Sequence, residues 1–516
     1  MKLKKIIDNL DGVVKVEGRT SLEITGIACD SKAVKQGYLF AALKGSKVNG
    51  ADFIDDAISR GAYAILLDAD NEGIFRKGDA FIYVKDSIKA LADVSKAYFT
   101  DLSAKMRLIG VTGTNGKTTI TYLMESIFKA KFWQTGVIGT VNYRFGQRSI
   151  PAVNTTPGVL DLYSLLSSMY KEKIKNCVIE VSSHSLEQGR VETLQFDTAI
   201  FTNLTREHLD FHKNMDDYLK AKLKLFEKIK KGGFAIINLD DPAAEKIIEK
   251  VKAETKARVI TYGIDHKADI TAENINLSCN GLKFQLGVAE RALANSAPIG
   301  VAKQSFAPIE IESNLIGRHN IYNILAAIGA SLASGISLED TKNGIEALKG
   351  LPGRLESVMC GQNFSVYVDY AHTEDGLENV LKSLRELKPN RLISVFGCGG
   401  NRDKTKRPAM GRISTELSDA VVITSDNPRG EEPMDIINEI IKGIAPGKNN
   451  YTVEIDRFRA IKKALESAKE GDIVLVAGKG HETYQVFKNT TLPFDDREVV
   501  RRILVGTGHC PVPTGR

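Results

Sequence analysis

Short unbroken runs of apolar residues punctuate this chain, and between them apolar positions return every three or four residues. The first pattern suits strands buried on both faces of a parallel sheet, the second the amphipathic helices that cover it. Over residues 1–103 the pattern predicts strands at Tyr38–Ala42, Ala64–Leu67 and Ala80–Val84, with helices at Ala51–Arg60 and Ser87–Phe99. A second block, 104–348, has strands at Met106–Ile109, Cys177–Val181, Thr198–Thr202 and Phe234–Asn238, and helices at Ile120–Ala130 and Asn320–Ser334. From Ile270 to Ile311 the helical period fades, and a β-rich or irregular stretch is expected, with a loop near Ala289–Ala307. A third block, 349–504, opens at Leu351-Pro352-Gly353-Arg354, with strands Ser365–Asp369, Arg391–Phe396, Ala420–Thr424 and Ile473–Ala477. Residues 505–516 read as an unstructured tail. The sum is an α/β protein of three domains, the central one a doubly wound sheet and the third Rossmann-like.

Composition narrows the class. A length of 516 residues fits roughly three domains of ~150 residues. A 43% hydrophobic, 26% charged chain with mean hydropathy −0.15 is that of an ordinary globular protein. No apolar run reaches the ~20 residues of a membrane span, and the first residues lack the apolar core of a signal peptide, so the cytoplasm is expected. The net charge of +6 is mild for a nucleic-acid binder and fits a small acidic substrate without requiring one. The lysines of 220–231 alternate with apolar residues and read as solvated helix faces. The six cysteines are scattered without a CxxC pair, which argues against a disulfide framework or structural zinc.

The densest chemical signal is Gly110-Val-Thr-Gly-Thr-Asn-Gly-Lys-Thr-Thr119, between a strand and a helix. Gly113 and Gly116 let backbone N–H groups approach phosphate oxygens closely, in a loop that runs on through Thr114, Asn115 and Thr119. Lys117 is placed for the β- and γ-phosphates and Thr118 for Mg²⁺. Val111 stands where the usual phosphate loop has glycine, and a glycine turn that only caps a helix is the plainer alternative. Glu180 interrupts an apolar strand, either as a second Mg²⁺-facing group or as half of a structural ion pair. His208, Asp210 and His212 lack the spacing of a zinc helix. A Mg²⁺ or phosphate role suits His208, with Asp210 as its orienting group or His212 simply at the surface. In the third block, Asp369–Thr373, Gly397–Asp403, Asp426–Arg429 and Gly478–Glu482 all follow strands, and together they point to a substrate cleft.

These motifs, with Asn154-Thr155-Thr156-Pro157-Gly158, Ser182-Ser183-His184-Ser185, Gly317-Arg318-His319-Asn320 and Pro352-Gly353-Arg354-Leu355-Glu356, resemble the Mur ligase family over residues 20 to 500. Within it the chain resembles the branch that adds the third residue of the peptidoglycan stem peptide. Loops with Val111 are normal in that family. The resemblance implies a UDP-binding N-terminal domain, a central ATPase domain and a C-terminal amino-acid-binding domain. It implies an acyl-phosphate route that joins an amino acid to UDP-MurNAc-L-Ala-D-Glu. It carries catalytic and metal roles onto Lys117, Thr118, Glu180, His208 and Lys222, the last as a carbamate ligating Mg²⁺. ATP contacts fall on residues 113–119, Asn320, Arg354, Asp369 and His372. Contacts to the muramoyl dipeptide fall on Ser31, Asn154, Thr155, Thr156, Ser182, Gln188 and Arg190, whereas Ser46 and Lys47 depart from the family pattern.

Asp426-Asn427-Pro428-Arg429 is the form found in members that use meso-diaminopimelate. An arginine clamps its distal carboxylate bidentately and repels the ammonium of lysine. Arg402, Asp426, Asn427, Arg429, Gly478 and Glu482 make up that implied set. The competing reading pairs Arg429 with Glu431 or Glu432 at the surface. Rival functions are a lysine-adding ligase, a folylpolyglutamate synthase and a phosphate-loop switch protein. No nucleic acid or membrane partner is expected, and the chain is expected to be a monomer.

Overall fold

The structure of the chain is a computed structural model, which describes residues 1–45, 48–71, 79–208, 211–296 and 309–506. Ser46, Lys47 and Asp210, and the later part of the 289–307 loop and of the tail, lie outside the described residues.

Three sheets carry the architecture. The first, drawn from residues 13–84, has the order Val13–Glu17, Ala80–Val84, Ala62–Asp68, Tyr38–Ala42, Gly26–Ala28. It is parallel except for its first strand, which pairs antiparallel to Ala80–Val84. Every residue of Ala80–Val84 is buried, as an unbroken apolar run requires. Asp86 caps the next helix, Ser87–Phe99, accepting from the amides of Ile88 and Lys89 at 3.0 Å. The expected helix 51–60 is in fact a 3₁₀ turn, Gly50–Phe53, followed by Ile54–Ser59. Asn49 turns the chain there by accepting from Ala51 N at 3.2 Å.

The central sheet has eleven strands. Its middle reads Phe196–Phe201, Arg107–Thr112, Asn176–Glu180, Thr135–Ile138, all parallel. The chain winds outward from Arg107–Thr112 first to one side and then to the other, so that strand stands at the topological switch point. Glu180 pairs with Val111 and Phe201 with Thr112, which brings the ends of the three strands level. The loop strand runs to Thr112 rather than stopping at Ile109. Gly110 lies inside it because a Cβ there would come within 3.0 Å of Leu225 and Phe196. The stretch from Ile270 resolves into strands Ile270–Ser278 and Gly281–Val288, paired antiparallel, with Ile309–Ser313 beside them. Part of the expected loop after Ala289 is helical, Glu290–Ser296.

The third sheet orders Glu356–Ser357, Ser365–Asp369, Ile473–Ala477, Leu392–Phe396, Ala420–Ile423, Tyr451–Val453, parallel after its short first strand. The final helix, Asp496–Gly506, runs through Val505 and Gly506, two residues into the expected tail. Its Asp496 forms a fully buried pair with Arg457, Nη2 to Oδ2 at 2.7 Å. Among the described residues no helix is long and apolar enough to cross a membrane.

Candidate active site

The phosphate loop leaves Thr112 and enters helix Lys117–Ala130 directly, one turn earlier than periodicity predicted. Gly113 and Gly116 have φ of +141° and +89°, which side chains resist. Both are also crowded. A Cβ on Gly113 would meet Thr202 Oγ1 at 1.8 Å, and one on Gly116 would meet Asn323 Oδ1 at 2.2 Å. The loop is braced from the neighbouring strand end. Thr114 N donates to Asn203 O at 2.8 Å, Asn115 N to Asn203 Oδ1 at 2.9 Å, and Thr202 Oγ1 to Asn115 O at 2.6 Å. Lys117 folds back over the loop, its Nζ donating to Gly113 O and Thr114 O at 2.9 and 2.7 Å.

Glu180 is buried beside this loop, and no cation pairs with it among the described ion pairs, which removes the structural ion-pair reading. Its oxygens accept from Thr118 Oγ1 at 3.1 Å, Thr140 Oγ1 at 2.8 Å and Thr140 N at 3.0 Å. Gly139 is required there, since a Cβ would lie 2.2 Å from Glu180 Oε1. A carboxylate and a threonine hydroxyl that share a hydrogen bond at the foot of a phosphate loop are oxygen donors of the kind Mg²⁺ takes. Among the described residues no three His, Cys, Asp or Glu side chains converge for a metal.

Helix Met215–Glu227 overturns one expectation. Lys220 is exposed, but Lys222 is buried at 1% exposure, with Nζ 4.1 Å from the ring centroid of Tyr218. Burial, reinforced by the charge of Lys117, holds its pKa well below that of an ordinary lysine. His208 sits nearby at φ +57°, edge-on to His184 at 4.7 Å and to Tyr218 at 6.2 Å. His212 is buried rather than at the surface, its Nε2 2.9 Å from Ser183 Oγ.

The residues expected to hold the muramoyl dipeptide gather beside Glu180. Thr156 Oγ1 donates to Glu180 O at 2.7 Å and accepts from Ser182 N at 3.2 Å. Arg190 Nη1 reaches Thr156 O at 2.6 Å, and its Nη2 reaches Gln188 Oε1 at 2.6 Å. Thr155 Oγ1 lies 3.1 Å from Thr140 Oγ1, while Asn154 is exposed, its backbone held by Tyr143. Ser31 is the outlier. It is buried in the turn Ser31–Ala33 of the N-terminal sheet and hydrogen-bonds Asp56 there.

Across the loop, Asn320 is buried with Nδ2 on Ile316 O at 2.7 Å and Oδ1 accepting from Asn323 Nδ2 at 2.9 Å. The asparagine pair thereby backs Gly116, a role for Asn323 that sequence reading missed. Asp369 accepts from Leu355 N at 2.6 Å and Ala371 N at 2.8 Å, so it fastens the Pro352–Glu356 segment to the third sheet. Burial raises its pKa and Arg354 opposes that rise. Arg354 lies 5.0 Å from the Tyr370 ring, and its buried Nε has no hydrogen-bond partner. Burial and the charge of Lys406 push His372 down, and its Nδ1 lies 2.8 Å from Tyr370 O.

The third-sheet loops bring together a second cluster, the candidate amino-acid pocket. Gly478, at φ +117°, clears Asp426 Oδ2, which a Cβ would approach to 2.7 Å. Asn427 Nδ2 donates to Glu482 Oε2 at 2.8 Å. Lys479, fully buried and not foreseen, bridges Asn427 Oδ1 and Glu482 Oε2, both at 3.1 Å. Arg429 has φ +53° and donates from Nη1 to Gly400 O at 2.9 Å. Exposed Arg402 flanks Gly399 on the same loop. The surface alternative for Arg429 fails at Glu431, whose carboxylate is held by Arg407 at 2.9 and 3.0 Å. The third sheet touches the phosphate loop through Asp375 of its first helix, Glu374–Arg385. Its Oδ2 accepts from Asn115 Nδ2 at 3.0 Å and from Thr205 Oγ1 at 2.9 Å.

Comparison with known proteins extends over the whole chain. Residues 23–99 match the Mur ligase family catalytic domain, 111–331 the Mur ligase middle domain, and 353–480 the Mur ligase glutamate ligase domain. The UDP-N-acetylmuramoyl-L-alanyl-D-glutamate--2,6-diaminopimelate ligase of Clostridium perfringens is 42% identical, over 98% of this chain and 100% of its own. The enzyme of the same name from Solibacter usitatus is 44% identical over 94% of each. A solved structure of a ligase of that name superposes with a TM-score of 0.70 at 31% identity, covering 99% of both chains. MurF from Acinetobacter baumannii shares the fold at a TM-score of 0.65 and 19% identity. With the phosphate loop, the buried acid beside it and a likeness that spans all three sheets, this chain belongs to the Mur ligase family.

Proposed function

We infer that this chain is an ATP-dependent ligase that joins meso-2,6-diaminopimelate to the terminal carboxylate of UDP-MurNAc-L-Ala-D-Glu. One observation carries the reading. Chain-long identity of 40–44% to ligases of that name coincides with an Asp426–Arg429 loop in which Asn427 holds Glu482 and Arg429 is braced on Gly400.

The reaction follows from the residues in turn. A carboxylate is a poor electrophile, so its oxygen first takes the γ-phosphoryl of ATP, with ADP leaving. The amine nitrogen then attacks the acyl carbon, and phosphate and a proton depart. The loop amides and Lys117 cradle the phosphates, Lys117 exchanging its backbone carbonyl partners for phosphate oxygens. Asn320 and Asn323 support the loop from behind, and Arg354, with His372, faces it from the third sheet. Thr156, Ser182, Gln188 and Arg190 hold the dipeptide carboxylate end, and Ser31 contributes from the N-terminal sheet to the uridine end. Thr118 and Glu180 supply oxygens suited to Mg²⁺, with His208 beside them. When bound, that ion neutralises charge on the transferring phosphoryl group. Lys222, whose pKa burial lowers, is the amine that adds carbon dioxide and loses a proton to become a carbamate, which places a second anion near Lys117. Arg429 and Arg402 take the distal carboxylate of diaminopimelate, and Glu482 with Asp426 its distal ammonium. The chain acts in the bacterial cytoplasm, as a monomer.

The test supplies ATP, Mg²⁺, UDP-MurNAc-L-Ala-D-Glu and either meso-diaminopimelate or L-lysine, and follows phosphate release and product mass. Tripeptide product with diaminopimelate alone is expected. Product with lysine would overturn the specificity, and nucleotide hydrolysis indifferent to both would overturn the ligase.

A further inference from the structure

The residue that holds the third-sheet pocket in shape lies outside the pocket. Arg407, on helix Lys406–Leu417, is wholly buried. Its Nη1 donates to Glu431 Oε2 at 2.9 Å and to Glu439 Oε2 at 2.7 Å, and its Nη2 to Glu431 Oε1 at 3.0 Å and to Gly399 O at 3.1 Å. One guanidinium thus grips the two loops that carry Arg402 and Arg429. The loops are also zipped to each other. Gly400 N donates to Asn427 O at 2.9 Å, Gly430 N to Asn401 Oδ1 at 3.1 Å, and Asn401 N to Glu431 Oε1 at 2.5 Å. A Cβ on Gly400 would strike Pro428 O at 1.9 Å, so the contact leaves no slack.

Charge gives the grip its function. Glu431 follows Arg429 by two residues, and both lie against Gly400. Its carbonyl accepts from Arg429, while a Cβ on it would lie 3.4 Å from Glu431 Cβ. A free carboxylate there is a ready bidentate partner for the arginine. Arg407 occupies both oxygens of Glu431 and so leaves the Arg429 guanidinium available. Lys404 also approaches Glu431, at 3.2 Å, but it is 58% exposed and no substitute for a buried planar donor.

We propose that Arg407 is a positioning residue for amino-acid selection: it sequesters Glu431 so that Arg429 meets the distal carboxylate of the incoming amine instead of its own neighbour. The inference rests on the reading under Proposed function. Its test compares Arg407→Met, Glu431→Gln and the double variant in the full chain, with KM for meso-diaminopimelate, KM for ATP, kcat and thermal melting measured for each. Arg407→Met should raise KM for diaminopimelate tenfold or more and leave KM for ATP within twofold. The double variant, which removes the competing carboxylate as well, should return KM for diaminopimelate to within about threefold of the parent. A merely structural arginine predicts otherwise: kcat falls with the folded fraction, KM for diaminopimelate stays put, and the second substitution restores nothing. That result overturns the inference while leaving the ligase intact. A single variant too unstable to assay still leaves the double variant, whose KM for diaminopimelate must be near that of the parent or the inference fails. A parent chain inert toward diaminopimelate overturns the function and the inference together.

Discussion

The phosphate loop and the third-sheet pocket both sit at the carboxyl ends of parallel strands, yet they are built in opposite ways. The loop is contiguous. Residues 113–119 supply its amides, its lysine and its hydroxyl, and neighbours such as Thr202, Asn203 and Asn323 only brace it. The pocket is assembled from loops that follow different strands, and its members hold one another. Asn427, Lys479 and Glu482 form one closed set, and Glu431 joins Arg407 to Asn401 in another group. A contiguous site should lose function residue by residue. A mutually bonded site should show substitutions whose effects depend on one another.

Lys117→Ala is the sharpest way to break that contrast. Removing the only lysine of the loop should lower ligation by about a thousandfold or more, as loss of a transition-state phosphoryl contact does, while the UDP substrate still binds. Single-turnover phosphate release measures the first and calorimetry the second. Lys222→Ala should cost ~10²–10³ in kcat for the same electrostatic reason, and formate or acetate should restore part of it. Failure of small carboxylates to help would remove the carbamate role. Arg429→Ala should weaken diaminopimelate by roughly tenfold to a hundredfold, the loss expected for a charged hydrogen-bonded pair of ~1.5–3 kcal/mol, while L-lysine, relieved of a like charge, should be used better than by the parent. Asp375→Ala takes an anion from the edge of an anion-binding loop. At ~1 kcal/mol for a solvent-screened charge, KM for ATP should fall about fivefold.

The smallest effect is in pH. The hydrogen bond from Arg407, above all, holds Glu431 down to about 2. A carboxylate with a depressed folded pKa stabilises the fold at pH above its unfolded value of 4.5, and that contribution is lost as pH falls toward 2. Acid titration of the melting temperature should therefore show a loss in this window that Glu431→Gln lacks.

What the sequence made readable follows the same division. Unbroken apolar runs marked most strands, because parallel strands covered on both faces need them, and a glycine-rich turn between strand and helix marked the loop. Asn427, Arg429 and Glu482 were legible as strand-end chemistry. Lys222 was misread as a surface lysine, although it shares a helix face with Tyr218 and Leu225, both buried. Arg407 likewise lies on a face with Met410, Gly411 and Ser414, all buried. A charged residue on a buried face was the available signal in both cases, and a charge-run reading averages it away. Asp375 offered no local signal, since its partners Asn115 and Thr205 are remote in sequence and meet it only through the arrangement of the sheets.

That last contact bears on how the parts of the chain are held together. One oxygen of Asp375 accepts from Asn115 of the phosphate loop and from Thr205 beyond the neighbouring strand, so a single carboxylate ties two segments of the central domain to the third. Its charge also opposes any anion that approaches Asn115, so the same oxygen that fastens the domains together weakens the loop's hold on a polyphosphate.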